Sequence, residues 1–426
     1  MTQLKLLGGF ICLLLISVVA QASTLNVITS YPQPVVAVIQ QAFEKSHPDI
    51  SLNILWRRPH DALMTLTNQP DEAVDVIWLP SPRVFYTLKD DNQLTPLNID
   101  ETGLPNEIGN ASISDADGYF MATEIAGYGL FFEPETLSKN SLAVPTTWQD
   151  LQHPQWQSHV ALPIPSEVNF AHMLIDQLLQ TEGWQIGWQQ WQQIAANSQL
   201  MGRGTMFTTE AVSTGVAKIA FTMDFFAATS IANGVEGRFI YPEKTAFNPA
   251  HVAILSRTKQ TEAANTFAAF LVSESGQKAL LHPDVRKLPI RPSVYQATST
   301  MQNPFSSDHH ANYDYPLGFS RREFNAVVFD ASITAHHDKL KNAWQQWYAL
   351  QAIASSEELA EIKKMLLNWP VSEPKLDDEI VLACAQRHDD DVKRQNCEAY
   401  QAEISQIFEQ QYDQALAKLA KLSQKQ

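Results

Sequence analysis

Strand-like and helix-like runs alternate three times between Leu25 and Leu88. Residues 25–29 are apolar enough for a buried strand. Pro34 stands where a helix can begin, and Val35, Val38, Ile39, Ala42 and Phe43 recur at helical spacing. Residues 51–56 alternate as a second strand, and the loop Arg57-Arg58-Pro59-His60 leads into a helix carrying Leu63, Met64 and Leu66. Residues 74–78 form the third strand. Leu79-Pro80-Ser81-Pro82 turns it into a helix with Val84, Phe85 and Leu88. Such alternation argues a parallel sheet with helices on both faces.

Beyond Asn92 the rhythm loosens. Residues 119–132 are a long, apolar, glycine-containing strand. A second α/β unit follows, with a strand at 159–162, a loop at 163–167 and a helix at 168–180. Trp184, Trp188 and Trp191 fall at i, i+4 and i+7, one helix face that reads as core rather than as a sugar platform. The glutamine-rich segment 184–193 keeps the same period. A strand at 216–221 runs into Thr222-Met223-Asp224, a strand at 251–255 returns, and Ala264, Phe267, Ala268 and Leu271 share a helix face. From about Met301 glycine becomes scarce and helical periods dominate. Phe324, Val327, Val328 and Ala331 mark one helix. Ser355-Ser356-Glu357-Glu358 reads as a capping box for another, ended by Trp369-Pro370. Phe408, Tyr412, Ala415, Leu419 and Leu422 mark the last. Short linkers favour a small bundle over one long coiled coil.

Residues 1–22 read as a cleavable signal peptide. Lys5 is their single charge, an apolar run from 10 to 20 follows, and Ala20-Gln21-Ala22 supplies a small-x-small cleavage pattern. The run is too short for a comfortable membrane anchor, and Cys12 inside it lacks a lipoprotein context. With 30 basic and 46 acidic residues the net charge is −16, which disfavours nucleic acid or an anionic membrane surface as partner. Cys384 and Cys397 are expected to form a disulfide in an oxidising compartment. Zinc with His388 is the rival, but three ligands make a poor structural zinc site.

In parallel α/β sheets, ligands bind beyond the carboxyl ends of strands. That rule selects Thr29, Ser30 and Tyr31, then Arg57, Arg58 and His60, then Ser81 and Arg83, then Ser166, and finally Thr222 and Asp224. Hydroxyls at helix starts, with arginines nearby, suit a small anionic ligand. Each serine alone reads equally well as a turn residue or N-cap; the recurrence in both halves favours a site. Arg203 in Met201-Gly202-Arg203-Gly204-Thr205 is the first choice to pair with a phosphate or carboxylate, because its flanking glycines let a ligand approach the backbone. No Gly-x-Ser-x-Gly, Walker, His-Glu-x-x-His or Cys-x-x-Cys motif occurs, so no catalytic residue, metal site or cofactor is expected. Adjacent helical residues point about 100° apart, so His336-His337 reads as a solvated pair, as does His309-His310. Asp389-Asp390-Asp391 reads as a solvated helix end or loop.

Five stretches carry a family likeness: "TLNVITSYPQPVVAVIQQAFEKSHPDISLNI", "AVDVIWLPSPRVFYTLKDDNQLTPL", "PTTWQDLQHPQWQSHVALPIPS", "GVAKIAFTMDFFA" and "AANTFAAFLVSESGQKAL". In this order, from about Thr24 to Tyr295, they resemble the periplasmic solute-binding proteins of ATP-driven importers, in the branch of ferric-ion, thiamine, polyamine and sugar-phosphate binders. The resemblance implies an α/β, two-lobed type II binding-protein fold with hinge strands at 119–132 and 251–255. Lobe 1 would be 23–120 plus 253–300, lobe 2 would be 121–252, and 301–426 would be a helical C-terminal extension suited to partner docking. Carried over by position, Ser30, Ser81, Ser166 and Asp224 fall on ligand-contacting loops. Ferric-ion binders have adjacent tyrosines where this chain has Phe225 and Phe226, and a phenyl ring offers a hard ferric ion no oxygen.

The expectation is therefore a periplasmic binding protein, not an enzyme, that closes on a small organic anion, phosphoglycerate-like ones included. It would present the anion to an ABC importer permease or to a membrane sensor kinase. Its ligand residues would be Ser30, Tyr31, Arg58, Ser81, Ser166, Arg203, Thr222 and Asp224. Two competitors stand beside it. One is an exported phosphoester-acting enzyme, for which Asp224 and His60 are the nominees although no spacing pairs them. The other is a protein-interaction component whose ligand binding would survive deletion of residues 310–426.

Overall fold

The alternation after Leu25 folds as β1 (Ser23–Thr29), α1 (Gln33–Ser46), β2 (Ile50–Trp56), α2 (Pro59–Asn68), β3 (Val76–Leu79) and α3 (Pro82–Asp90). The structure is a computed structural model that describes residues 23–424 apart from 70–71, 205, 296–302, 307–309, 352–353 and 355. The expected leader with Cys12, His309, and Ser355 of the expected capping box lie outside the described residues. β1 pairs in parallel with β2 on one side and β3 on the other. Side chains of β3 alternate between two cores: Val76 and Trp78 pack with Phe43 and Phe267, whereas Ile77 and Leu79 pack with Leu66 and Phe85. A strand buried on both faces needs this near-continuous apolar run.

β4 (Phe120–Phe132) is buried along its whole length. It belongs to both halves of the sheet. Its first part pairs antiparallel with β9 (Phe247–Leu255), and its last residues, from Tyr128 to Phe132, pair with β7 (Ile219–Met223). β5 (Val160–Pro163) and β6 (Ser198–Met201) extend the second half in parallel, and β8 (Arg238–Ile240) pairs with the end of β4. The order is β2-β1-β3-β9-β4-β7-β5-β6. The helix after β5, α4 (Ala171–Glu182), starts later than its periodicity suggests. The N–H groups of Glu167 and Val168 both turn back onto the carbonyl of Ile164, at 3.1 and 2.8 Å. α5 (Trp184–Ala196), α6 (Asp224–Ala232), α7 (Thr261–Val272) and α8 (Glu274–Leu280) complete this part.

The C-terminal helices are α9 (Tyr315–Ser332), α10 (His337–Leu350), α11 (Ser356–Leu366), α12 (Glu379–Ala385) and α13 (Asp391–Gln424). They do not stand apart. One apolar core runs from β5 and α4 through α5 to Phe408, Tyr412 and Leu419 of α13. The tryptophan face of α5 is buried as expected, and what buries it is this region. Trp188 stacks on Trp369 with ring centroids 4.7 Å apart. The glutamines of α5 serve the same contact. Gln185 and Gln189 donate to the carbonyls of Trp369 and Leu367 at 3.3 and 2.8 Å, and Gln192 donates to the Tyr412 hydroxyl at 3.2 Å. His336 and His337, expected as solvated, are instead half-buried and bonded: His336 to the Ser405 hydroxyl at 2.8 Å, His337 to the Ala195 carbonyl at 2.9 Å. Asp390 accepts the N–H groups of Val392 and Lys393 at the start of α13, at 2.9 and 3.1 Å. Cys384 and Cys397 form the expected disulfide, which joins α12 to α13 beside Val327 of α9. Among the described residues no helix is long and apolar enough to cross a membrane.

α9 is held to α4 by a buried ion pair. Arg321 Nε lies 2.7 Å from Asp176 Oδ1, and each side chain is only 1% exposed. Asn325 donates to the same oxygen and Gln180 to the other, both at 2.7 Å, while Arg321 also reaches Glu373 at 2.7 Å. Removing one partner strands the other charge in the core. Arg321→Ala and Asp176→Ala are each expected to lower stability by about 3–5 kcal/mol, with the double variant losing less than the sum. Urea melts of the three variants check this; strictly additive losses, or losses under 1 kcal/mol, would contradict it.

Candidate functional site

A cleft of about 600 Å3 opens along β4 where the two halves of the sheet meet. The first half contributes the turn after β3, with Ser81 and Arg83. Ser81 occupies the N-cap position of α3, but its hydroxyl makes no capping bond. Arg83, in the first turn of α3, is exposed and has no ion pair among the described residues. The second half contributes Thr222 at the end of β7, the Arg203 loop, and an aromatic wall of Phe170, Phe207, Phe225 and Phe226. Thr222 is 1% exposed, and its hydroxyl has no hydrogen-bond partner among the described residues. A buried polar group without a partner at a cleft wall is poised for a ligand.

The floor is built on β4. Glu124 lines the cleft and is buried, accepting the Tyr31 hydroxyl and, at 2.5 Å, the Thr123 hydroxyl. Tyr31 therefore lies beneath the site, its ring 4.5 Å from that of Trp78. Lys287 carries its ammonium into the cleft, 3.9 Å from the Phe225 ring centroid and 5.4 Å from that of Tyr31. Burial lowers the Lys287 pKa against the opposing pull of the Glu124 and Asp224 charges. Asp224 is buried and occupied. It accepts the N–H of Gly127 at 2.5 Å, the Tyr241 hydroxyl at 2.9 Å and the N–H of Phe225 at 2.7 Å. It thus ties the start of α6 to β4. Gly127 is required there, because a Cβ would stand 2.5 Å from the Tyr241 ring and 2.6 Å from that of Phe247. Burial pushes Asp224 up to about 6, with the three hydrogen bonds and Lys287 resisting.

Arg203 is exposed at the cleft. Its neighbour Gly202 was expected to admit a ligand, yet a Cβ there would meet Glu167 Oε2 at 2.3 Å, and the same oxygen accepts the Arg203 N–H at 2.5 Å. The space is filled by the protein's own carboxylate. Ser166 is half-buried and bonds to Asp330 of α9. Ser30 is half-buried, and Arg58 and His60 are exposed near the start of α2; the residues lining the cleft include none of the three. The strand-end rule finds where loops gather, not which loops face the opposing half. It gave no notice of Glu124 and Lys287, nor of Phe319 and Arg322, which reach the cleft from α9. No periodicity in the sequence marks them.

Among the described residues the formal charges lining the cleft are Arg83, Arg203, Lys287 and Arg322 against Glu124 and Glu167, or 4 − 2 = +2, in a chain whose net charge is −16. His172 adds none at neutral pH, since burial and the nearby Arg322 lower it to about 4.

Comparison with known proteins agrees with this architecture. The family model for bacterial extracellular solute-binding proteins matches residues 71–308, more than half of the chain. The chain is 24% identical over 369 residues to the phosphoglycerate transport regulatory protein PgtC of Salmonella typhimurium, covering 85% of this chain and 90% of that one. Among solved structures it is similar to iron-bound HitA from Pseudomonas aeruginosa, with 17% identity, a TM-score of 0.57, and coverage of 72% of this chain and 97% of that one. It is also similar to AfuA from Actinobacillus pleuropneumoniae with fructose-6-phosphate bound, with 14% identity, a TM-score of 0.54, and coverage of 76% and 97%. The fold is that of the type II periplasmic binding proteins, with a helical C-terminal region added. The matched family is one of solute-binding proteins rather than enzymes.

The raised Asp224 pKa makes a signed prediction. The folded form holds the proton up to about pH 6, the unfolded form only to about pH 4. Stability from this group is fully present below the unfolded value and is lost as pH rises to about 6, a change on the order of 3 kcal/mol. Asp224→Asn should remove that loss. Urea midpoints at pH 4.5 and pH 7 should show the variant gaining on the wild type at the higher pH; parallel shifts would show that Asp224 is not the titrating group.

Proposed function

The chain belongs to the bacterial extracellular solute-binding protein family, and we propose that it captures a small organic anion by closing the cleft around it. The observation that carries this reading is the positive cleft in an acidic chain, with cations on both walls: Arg83 on one, Arg203 and Arg322 on the other, and Lys287 on the floor. The hydroxyls of Ser81 and Thr222 would orient the anion. The rings of Phe170, Phe225 and Phe226 would cover a carbon skeleton, which favours an organic anion over an inorganic one. Phe225 and Phe226 offer no oxygen to a ferric ion, so iron is not the proposed cargo.

Closure follows from contacts made to both walls at once. A ligand that binds the closed form better shifts the balance toward it by its difference in affinity. Tyr31 and Asp224 take part indirectly, by fixing Glu124 and the start of α6. The names of the relatives, a phosphoglycerate transport regulator and a fructose-6-phosphate complex, make phosphorylated three- to six-carbon acids and sugars the first candidates. The closed form would be presented in the periplasm to an importer permease or to a membrane sensor kinase, after removal of residues 1–22.

Thermal melts of the mature protein test this. At a hundredfold excess over the dissociation constant, 3-phosphoglycerate, fructose 6-phosphate or succinate should add about 2.7 kcal/mol of stability, and glycerol should add none. Lys287→Met should weaken binding roughly tenfold or more. An unmoved midpoint with every anion, or an equal rise with glycerol, would sink the proposal.

A further inference from the structure

Arg322 lies beyond residue 308, where the family match ends, yet it lines the same cleft as Arg83 of α3. Its position is not adjustable by rotation of a free domain, because the adjacent Arg321 is locked to Asp176 in the core. Arg322 Nε lies 3.1 Å from Glu323, and Nη2 donates to Asn169 at 3.2 Å. The counter-charge is shared: the second oxygen of Glu323 lies 2.8 Å from Arg387. One carboxylate thus serves two guanidiniums. The other carboxylates at the cleft are engaged elsewhere, Glu124 by Tyr31 and Thr123, Glu167 by the Arg203 N–H. Burial lowers the pKa of Arg322, and the charge of Arg83 adds to the effect.

We propose that Arg83 and Arg322 form a two-sided clamp for a multiply charged anion, with α9 of the C-terminal region as a functional wall of the binding site. This rests on the anion reading above and names the residues and the charge state that it selects. In the empty cleft the Arg83 charge acts against that of Arg322. An anion bearing two negative charges between them turns that repulsion into two attractions, so closure depends on ligand charge. A monoanion satisfies one side and leaves the other unpaired. The C-terminal helices therefore bear on ligand choice, and deleting them removes a wall of the site along with any docking surface.

The test is isothermal titration of the mature full-length chain with 3-phosphoglycerate and with glycerate, which lacks the phosphate. Arg322→Gln and Arg83→Gln should each weaken 3-phosphoglycerate binding by about tenfold or more. Each should also narrow its advantage over glycerate, and Arg322→Lys should fall between. Arg83 is exposed, so Arg83→Gln is read without concern for folding. Wild-type affinity in Arg83→Gln or in a normally melting Arg322→Gln overturns the clamp while the anion reading stands. A wild type that binds none of these anions overturns both.

Discussion

The Asp176–Arg321 pair is the contact on which the rest of the site depends. A charge buried this deeply is tolerable only when its hydrogen-bonding capacity is met. Here Asp176 is met by Arg321, Asn325 and Gln180. Such a pair has one low-energy geometry, so it sets the axial position and rotation of α9 against α4. The next residue along a helix points about 100° away. With Arg321 turned into the core, Arg322 is directed to the cleft, with Phe319. The stack of Trp188 on Trp369 and the glutamine bonds of α5 hold the remaining helices to the same half. What looks in sequence like an appendage is physically part of the wall.

The floor obeys a second constraint. β4 is buried end to end and shared between the halves, so any charge beside it must be compensated locally. Glu124 is compensated by two hydroxyls, and Asp224 by two N–H groups and the Tyr241 hydroxyl. Lys287 has aromatic faces beneath its ammonium and the Glu124 and Asp224 charges nearby. Both acids already accept hydrogen bonds from the scaffold, so the ammonium is the group left to meet a ligand. The same distinction separates Arg321, paired and buried, from Arg83, exposed and without an ion pair among the described residues.

Much of the fold was legible in the sequence because it rests on local periodicity. The β-α alternation after Leu25, the tryptophan face at Trp184, Trp188 and Trp191, and the apolar stripe of the last helix all follow from spacing alone. The site was legible only in part. Ser81, Arg203 and Thr222 line the cleft because strand ends gather there. Ser30 and Arg58 met the same rule without lining the cleft. Arg321 and Arg322 are adjacent and chemically identical, and nothing local says which one is buried; the deciding partner, Asp176, is 145 residues away in sequence. Gly202 looked like room for a ligand because the reach of Glu167 into that space is a tertiary fact. His336 and His337 looked solvated because their acceptors, Ser405 and Ala195, are remote in sequence.

The claim that the C-terminal helix is a wall of the binding site is tested most directly by a crystal structure of the mature protein grown with 3-phosphoglycerate. One anion should lie in the cleft, receiving hydrogen bonds from both the Arg83 and the Arg322 guanidiniums with the two walls drawn together. An anion held elsewhere, with Arg322 still bonded only to Glu323 and Asn169, would contradict that claim.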